Sequence, residues 1–193
     1  MVAAAILAGG AARRMGGQQK ALLPFAGGSI LARQLAVLGP LCDEVVVITN
    51  DPVPFAPFAV AVAADLHPGA GPLAGLEAAF AATRAEVVLL VAGDMPRLVP
   101  SLLRRVADLP PGHDAVVPRV DGRAEPLHAA YHRRLAPLVS RRLEAGERAM
   151  HAFLAGLRVH WLDEAALRAI DPDLRSLANA NTPAELAALA ALP

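Results

Sequence analysis

The sequence predicts an α/β fold in which a mainly parallel sheet carries helices on both of its faces. Three observations predict it. Short apolar runs rich in valine and alanine alternate along the chain with longer stretches of helical periodicity. Most of these runs contain no alternating polar residues, which is typical of strands buried on both faces. Strands that alternate with helices pair in parallel through right-handed crossovers, so we expect a doubly wound, Rossmann-like sheet.

Each predicted element occupies a definite stretch of the chain. The first five strands are expected at 2–7, 44–49, 58–64, 86–93 and 114–120. Two later strands are expected at 125–132 and 157–162, the first of them antiparallel to its neighbours. The helices are expected at 29–41, 72–83, 100–109, 133–146 and 182–192.

Residues that favour helix starts support three of these boundaries. Ser29 and Ser101 are candidate caps for the first and third helices. Before the last helix, Thr182 and Glu185 predict a capping box around Pro183, a residue that suits the first helical position.

The composition indicates one globular domain that spans residues 1–193. Hydrophobic residues make up 55% of the chain and the formal net charge is zero, which argues against binding of nucleic acid or a membrane surface through bulk charge. Cys42 is the only cysteine, which excludes an internal disulfide and fits a reducing compartment. The apolar start at 2–8 is too short for a membrane span, so we expect a cytoplasmic protein.

The segment between the first strand and the first helix is the strongest functional signal. It runs from Gly9 to Gly28, far beyond the ~2–6 residues usual between a strand and a helix, and loops of that length are usually functional. Gly9 and Gly10 allow backbone amides to converge on an anion, and Arg14 and Lys20 add positive charge against phosphates. Neither the P-loop nor the dinucleotide-binding spacing of glycines is present.

Two single residues add to this signal. Lys20 is the only lysine among 18 basic residues, and a compact ammonium differs physically from a forked guanidinium, so Lys20 is expected to do what arginine cannot. Asp94 follows the buried run at 86–93 and therefore lies at the sheet edge where ligands bind. Its carboxylate suits Mg²⁺ held jointly with phosphates and waters, or alternatively caps the turn at Met95.

The stretch from Leu7 to Lys20 reads L-A-G-G-x-x-x-R-M-G-x-x-x-K and resembles the signature loop of nucleotidyltransferases that move an NMP from an NTP onto a phosphate-bearing acceptor. Further motifs at 71–75, 93–100, 125–131, 145–153 and 179–186 extend this resemblance, in order, over essentially the whole chain. With them, the chain is similar to the molybdopterin nucleotidyltransferase family, and within it to the molybdenum cofactor guanylyltransferases. One departure is Gln19, which precedes Lys20 where the family usually has an aspartate.

The resemblance implies a nucleotidyltransferase fold whose N-terminal part binds the nucleotide and whose C-terminal part binds the acceptor. Backbone groups of Leu7 and Ala8 would help to read guanine, and the amides of Gly9 and Gly10 would hold the phosphates.

The resemblance also implies three catalytic residues. Arg14 and Lys20 would stabilise developing negative charge, and Asp94 would hold Mg²⁺. Asp65 would belong to the nucleotide site, with a solubilising loop residue as the alternative. Asn50 would reach the nucleotide, with an ordinary loop asparagine as the alternative.

Three residues in the last third of the chain are implied to bind the acceptor. Asn179 and Asn181 are two apart, which in an extended segment puts both amides on one face, where they can pair with a pterin. Ordinary turn formation before Thr182 is the alternative for both. Arg148 would receive the acceptor phosphate, unless it is a solvated surface residue.

The implied activity is Mg²⁺-dependent transfer of GMP from GTP to molybdopterin that already carries molybdenum. The alternatives are the same reaction with CTP, a sugar-1-phosphate nucleotidyltransferase, and a nucleotide-binding regulator without turnover. A molybdenum-insertion protein or a molybdoenzyme apoprotein would be the protein partner. His128 and His132, four apart, are expected to be structural rather than a metal pair.

Overall fold

The structure is a computed structural model that describes residues 1–9 and 19–191. Its strands are β1 (Val2–Leu7), β2 (Pro24–Phe25), β3 (Gly28–Ser29), β4 (Glu44–Ile48), β5 (Ala61–Ala63), β6 (Val87–Ala92), β7 (Ala115–Val120), β8 (Arg123–Ala124), β9 (His128–His132) and β10 (Val159–Leu162). Its helices are α1 (Ile30–Leu38), α2 (Pro72–Ala82), α3 (Pro100–Ala107), α4 (Ala136–Glu144), α5 (Met150–Ala155), α6 (Glu164–Arg168) and α7 (Pro183–Ala191).

The main sheet follows the strand order β10-β7-β9-β6-β1-β4-β5. Along this path β9 is antiparallel to both of its neighbours, β6 and β7, and every other pairing is parallel. The predicted α/β fold, with a mainly parallel sheet and one antiparallel strand, is therefore confirmed. The two-residue strand β8 adds a short antiparallel pairing to β7, and β2 pairs with β3 in a separate hairpin.

Two apolar cores cover the two faces of this sheet. Residues of β1 alternate between them: Ala3 and Ala5 face the core that holds α2, α4 and α5, whereas Ala4 and Ile6 face the core that holds α1 and α3. Because side chains alternate along a strand, a strand covered on both faces must be apolar at every position. This explains why β1 reads as a continuous apolar run without polar alternation.

The helix starts agree with two of the three predicted caps. The Ser29 hydroxyl accepts a hydrogen bond from the Ala32 amide at 3.1 Å and so caps α1. Thr182 and Glu185 exchange the predicted pair of bonds, at 3.1 and 3.2 Å. The prediction for Ser101 was wrong. The first residue of α3 is Pro100, so Ser101 is the second helical residue and Val99 occupies the cap position.

Several element ends differ from the sequence prediction for local reasons. The first helix ends at Leu38 rather than at 41, since proline at position 40 cannot continue it. The helix predicted from 133 begins at Ala136, after a 3₁₀ turn over Arg133–Leu135. The strand predicted at 58–64 is reduced to β5. In the described part of the chain, no helix is both long and apolar enough to cross a membrane.

Candidate active site

A cavity of about 490 Å³ opens at the carboxyl ends of β1, β4 and β6. This is the sheet edge at which open α/β folds bind ligands. Gly10 and Arg14 lie outside the described residues. All the other residues predicted to bind the nucleotide line this cavity: Leu7, Ala8, Gly9, Lys20, Asn50, Asp65 and Asp94.

Lys20 and Asp94 form an ion pair at the mouth of the cavity. The Lys20 ammonium lies 3.0 Å from Asp94 Oδ2, and the two side chains are 27% and 20% exposed. Lys20 begins a 3₁₀ turn whose next residue, Ala21, is buried in the core and anchors the turn. Within residues 1–9 and 19–191, no donor contacts Asp94 Oδ1. One carboxylate oxygen is therefore left without a partner by the described residues.

Asn181 joins this pair from the far end of the chain. Its Oδ1 accepts a hydrogen bond from the Lys20 ammonium at 2.7 Å, across 161 residues of sequence. The segment around Asn181 is held in place by two backbone donors. The Ala180 backbone amide donates to the Asp94 carbonyl at 2.9 Å, and the Asn181 backbone amide donates to the Glu185 carboxylate at 2.6 Å. An ammonium has three N–H donors, so one remains without a partner among the described residues.

Two glycines bring the elements of the cavity close together. A Cβ on Gly93 would lie 2.8 Å from the Leu7 carbonyl oxygen, and a Cβ on Gly75 would lie 2.7 Å from the Leu7 side chain. A larger residue at position 93 would therefore force the backbone after β6 away from β1, whereas at position 75 the Leu7 side chain would have to move. Gly9 differs, because a Cβ there would meet the Ile48 carbonyl oxygen at 3.7 Å, an ordinary contact. The described residues around position 9 therefore leave room for a side chain there.

The backbone groups at the end of β1 are partly used by the sheet. The Ala8 amide donates to the Ile48 carbonyl at 3.0 Å, and the Leu7 carbonyl accepts from the Gly93 amide at 2.9 Å. The Ala8 and Gly93 amides are thus committed to the sheet, whereas the Leu7 and Ala8 carbonyls keep lone pairs that no described donor uses. At Leu7 and Ala8 the backbone therefore offers hydrogen-bond acceptors to a ligand.

Asn50 and Asp65 lie beside each other on the opposite wall. The Asp65 amide donates to Asn50 Oδ1 at 2.9 Å, and the His67 amide donates to Asp65 Oδ1 at 2.8 Å. These bonds shape the loop that follows β5. The loop itself therefore occupies the side-chain oxygen of Asn50 and one of the two carboxylate oxygens of Asp65.

The predicted acceptor residues are not all gathered at the cavity. Asn181 reaches Lys20, whereas Asn179 is exposed and its amide makes no hydrogen bond to the described residues. Arg148 is exposed between α4 and α5 and does not line the cavity. Its carbonyl oxygen lies 3.6 Å from the position of a Cβ on Gly71, at the cavity wall. Of the three, only Asn181 makes a side-chain hydrogen bond to a described residue of the cavity.

Sequence reasoning missed Gln34, which lies behind the cavity. Gln34 is 1% exposed, and its Nε2 donates to the carbonyls of Ala92 and Met95 at 2.8 and 3.0 Å. The signal was present, since Gln34 occupies the buried stripe of α1 between Leu31 and Leu38, where an apolar residue is expected.

His128 is fully buried and contacts Ser176. Its Nε2 lies 3.2 Å from the Ser176 hydroxyl, and burial lowers the pKa of its imidazole to about 4. It is therefore neutral at physiological pH. His132 lies at the other end of β9, where its Nδ1 accepts from the Arg134 amide at 3.1 Å.

The described residues fit a magnesium ion only if a substrate completes its coordination. Residues 1–9 and 19–191 contain no group of three or more histidine, cysteine, aspartate or glutamate side chains placed to hold a metal. Asp94 nevertheless presents a free carboxylate oxygen beside the cavity. Mg²⁺ is commonly bound by one or two carboxylates together with phosphates and waters, so a single aspartate is sufficient when a nucleotide is present.

Comparison with known proteins agrees with this geometry. The "Probable molybdenum cofactor guanylyltransferase" of Chloroflexus aggregans is 38% identical, covering 96% of this chain and 92% of the relative. The molybdenum cofactor guanylyltransferase of Desulfosudis oleivorans is 35% identical, covering 94% and 90%. The crystal structure of molybdopterin-guanine dinucleotide biosynthesis protein A from Archaeoglobus fulgidus superimposes with a TM-score of 0.83 at 28% identity, covering 97% and 96%.

The model of the MobA-like NTP transferase domain matches residues 4–163. This stretch includes β1, β6 and the glycine-rich segment between β1 and α1, and so covers the elements that carry Lys20 and Asp94. The resemblance found in the sequence motifs is thereby confirmed. The chain belongs to the MobA-like NTP transferase family of nucleotidyltransferases.

Proposed function

We propose that the protein transfers GMP from GTP to molybdenum-loaded molybdopterin, releasing pyrophosphate and forming the guanine dinucleotide form of the cofactor. The observation that carries the proposal is the contact of Lys20 with both Asp94 and Asn181, which joins the predicted nucleotide and acceptor halves. The names of the relatives with more than 30% identity support the choice of substrates.

The reaction needs no protein nucleophile. An oxygen of the acceptor's terminal phosphate attacks the α-phosphorus of GTP, the new P–O bond forms, and the bond to pyrophosphate breaks. The protein contributes position and charge. The free N–H of Lys20 donates to the phosphates, and the backbone amides of Gly9 and Gly10 and the Arg14 guanidinium are assigned the same role from the sequence.

Asp94 is the residue that would hold Mg²⁺ through its open oxygen. When bound with the nucleotide, the ion would neutralise charge on the phosphates and on the departing pyrophosphate. The Asp94 carboxylate contacts Lys20 through its other oxygen, so it can hold both cations at once. This arrangement brings two positive charges to the side of the cavity where negative charge develops.

The carbonyls of Leu7 and Ala8 support guanine as the base. Guanine presents N–H donors at its Watson–Crick edge, whereas cytosine presents two acceptors beside one amino group. An edge that offers acceptors with its nearby amides committed matches the donors of guanine. Asn50 and Asp65 are assigned to the same nucleotide, each through the side-chain atom that the loop leaves free.

The acceptor half is assigned to the last third of the chain. Asn181 has an amide NH₂ left to donate after its oxygen meets Lys20, and Asn179 and Arg148 provide an exposed amide and guanidinium nearby. Residues 1–193 then act as one domain with two substrate-binding halves. A cytoplasmic protein that hands the product to an insertion protein or a molybdoenzyme apoprotein completes the proposal.

The test is to incubate the purified protein with molybdenum-loaded molybdopterin, Mg²⁺ and either GTP or CTP, and to identify the dinucleotide by mass spectrometry. We expect a guanine dinucleotide with GTP and none with CTP, and no product when EDTA replaces Mg²⁺. A cytosine product would overturn the assignment of the base. Binding of GTP without release of pyrophosphate would indicate a regulator instead of an enzyme.

A further inference from the structure

The turn that carries Asp94 is clamped from behind by one buried side chain. The Gln34 amide donates one N–H to the Ala92 carbonyl at 2.8 Å and the other to the Met95 carbonyl at 3.0 Å. These two carbonyls are on either side of Asp94 in the sequence. Both donors of a single amide are thus used to fix the two ends of the turn.

Backbone hydrogen bonds also hold this turn. The Gly93 amide donates to the Leu7 carbonyl at 2.9 Å, the Ala180 amide donates to the Asp94 carbonyl at 2.9 Å, and the Met95 amide donates to the Ala92 carbonyl at 3.3 Å. Among the described residues, Gln34 is the only one whose side chain bonds the backbone of this turn, and it supplies the only hydrogen bond that the Met95 carbonyl accepts. Its loss would therefore loosen the turn chiefly at Met95, on the far side of Asp94.

The amide is retained at a position where an apolar residue would pack more simply. Gln34 lies on the buried stripe of α1, in line with Leu31 and Leu38, and its Oε1 has no hydrogen-bond partner in the described part of the chain. An unpaired buried oxygen costs free energy. A polar side chain at this position despite that cost indicates a functional reason, which is to hold the ends of the turn that carries Asp94.

We propose that Gln34 is a positioning residue that fixes the direction of the Asp94 carboxylate toward the metal–nucleotide complex. The inference rests on the proposed function, since Asp94 matters to the reaction only if it holds the metal. Gln34 does not touch the substrates. It acts through the carbonyls of Ala92 and Met95, which set the path of the backbone through Asp94.

The experiment compares Gln34→Met and Gln34→Glu with Leu38→Ala. Met keeps the volume and removes the donors, whereas Glu keeps the shape and turns a carboxylate oxygen toward the two carbonyls. Leu38 is fully buried one helical turn further along α1, so its truncation provides a control for lost packing. For each variant, GTP binding is measured by calorimetry with Mg²⁺ and with EDTA, together with kcat and KM.

We expect Mg²⁺ to strengthen GTP binding by the wild type, and this gain to fall about 10-fold in Gln34→Met and further in Gln34→Glu. GTP binding in EDTA should stay within about twofold of the wild type, and kcat should fall more than KM rises. Hydrogen exchange at the Gly93 and Met95 amides should accelerate in both variants. Leu38→Ala should lose stability while it keeps the Mg²⁺ gain.

Two results would overturn the proposal, and they are distinguishable. If Mg²⁺ strengthens GTP binding equally in the wild type and both Gln34 variants, then Gln34 only fills space and the proposed function stands. If Mg²⁺ has no effect on the wild type, then the metal role proposed for Asp94 is wrong, and the role of Gln34 is lost with it.

Discussion

Two aspartates beside the main sheet, Asp94 and Asp114, both pair with basic side chains but differ in how completely they are satisfied. Asp114 accepts from Arg134 Nε at 2.9 Å and from Arg158 at its backbone amide, 2.9 Å, and at Nε, 3.2 Å. Asp94 accepts from Lys20 through one oxygen, and its other oxygen has no donor among residues 1–9 and 19–191. Both oxygens of the Asp114 carboxylate accept hydrogen bonds from arginines, whereas the Asp94 carboxylate has one oxygen that the described residues leave for a ligand.

The pKa of Asp114 reflects this difference. Partial burial raises it, but the hydrogen bonds and charges of Arg158 and Arg134 outweigh that effect and lower the pKa to about 2. The Asp114 carboxylate therefore stays ionised in almost any buffer. It joins the start of β7 to the segments that precede α4 and β10.

The cations differ in the same way as the carboxylates. The Arg133 guanidinium donates to the carbonyls of Ala85 at 2.7 Å, Phe80 at 2.8 Å and Thr83, and so caps the carboxyl end of α2. A rigid fork with five donors suits several fixed carbonyls. The Lys20 ammonium is compact, has a flexible stem, and keeps one donor without a partner in the described part of the chain. The Arg133 guanidinium is thus committed to fixed carbonyls, whereas Lys20 retains capacity for a ligand.

The largest expected effect on activity comes from removing the negative charge of Asp94. Asp94→Asn should lower kcat by about 10²–10³-fold, the scale of removing one preorganised stabilising group, because the amide is a poor metal ligand. Pyrophosphate release with GTP and loaded molybdopterin measures this. Asp114→Asn is the matched control and should keep kcat within about twofold. Equal losses of kcat in the two variants would remove the distinction between the aspartates.

Replacing Lys20 tests whether the cation must be an ammonium. Lys20→Ala should lower kcat by about 10²-fold, because the developing charge loses its donor. Lys20→Arg should also lose activity, since the wider guanidinium cannot meet Asp94, Asn181 and a phosphate in the same space. The measurement is kcat for both variants with thermal stability recorded alongside. Full activity of Lys20→Arg would mean that only the positive charge matters.

His128 sharpens the comparison because it is a fully buried ionisable group without a charged partner. Its folded pKa is about 4, below the ordinary value of 6.5, so the unfolded chain binds more protons between these values. Stability should be complete above pH 6.5 and should decrease as the pH falls toward 4, by on the order of 3 kcal/mol. Urea unfolding across this range should show a shallower dependence in His128→Gln. The same slope in both proteins would contradict the assignment.

The smallest expected effect is the stability contribution of Asp114. Asp114→Asn should lower the free energy of unfolding by about 1–3 kcal/mol at pH 7, since donors from two arginines lose an ionised acceptor. Because the folded pKa of Asp114 is lowered to about 2, its contribution is present above pH 3.8 and is lost as the pH falls through 2. Denaturant unfolding at pH 7 and pH 3 measures both. No loss of stability at pH 7 would show that these ion pairs contribute nothing to the free energy of unfolding.

The fold was predictable because its strands are buried on both faces. In β1 and β6 every position is apolar, and in β4 every position after Glu44 is, so local composition alone reveals the strands. The short elements carry no such signal. The β2–β3 hairpin pairs two residues with two, and α5 and α6 span six and five residues, too few for a periodicity to appear.

Several residues that line the cavity were predictable, but their contacts were not. Lys20 and Asp94 were indicated by a long glycine-rich segment and by the end of a buried strand. The bond from Lys20 to Asn181 depends on how α7 returns to the sheet, which no local pattern encodes. Gln34 was missed because a single polar residue in an apolar stripe is read as an exception unless the packing behind it is known.

The contact between Lys20 and Asn181 has a consequence for the order in which the protein is made. The last strand of the main sheet ends at Leu162, and Asn181 leaves the ribosome after that strand. A nascent chain can therefore complete its sheet while Lys20 still lacks its partner. The two halves of the site meet only after the segment around Asn181 has emerged, so a chain whose sheet is complete does not yet have its complete site.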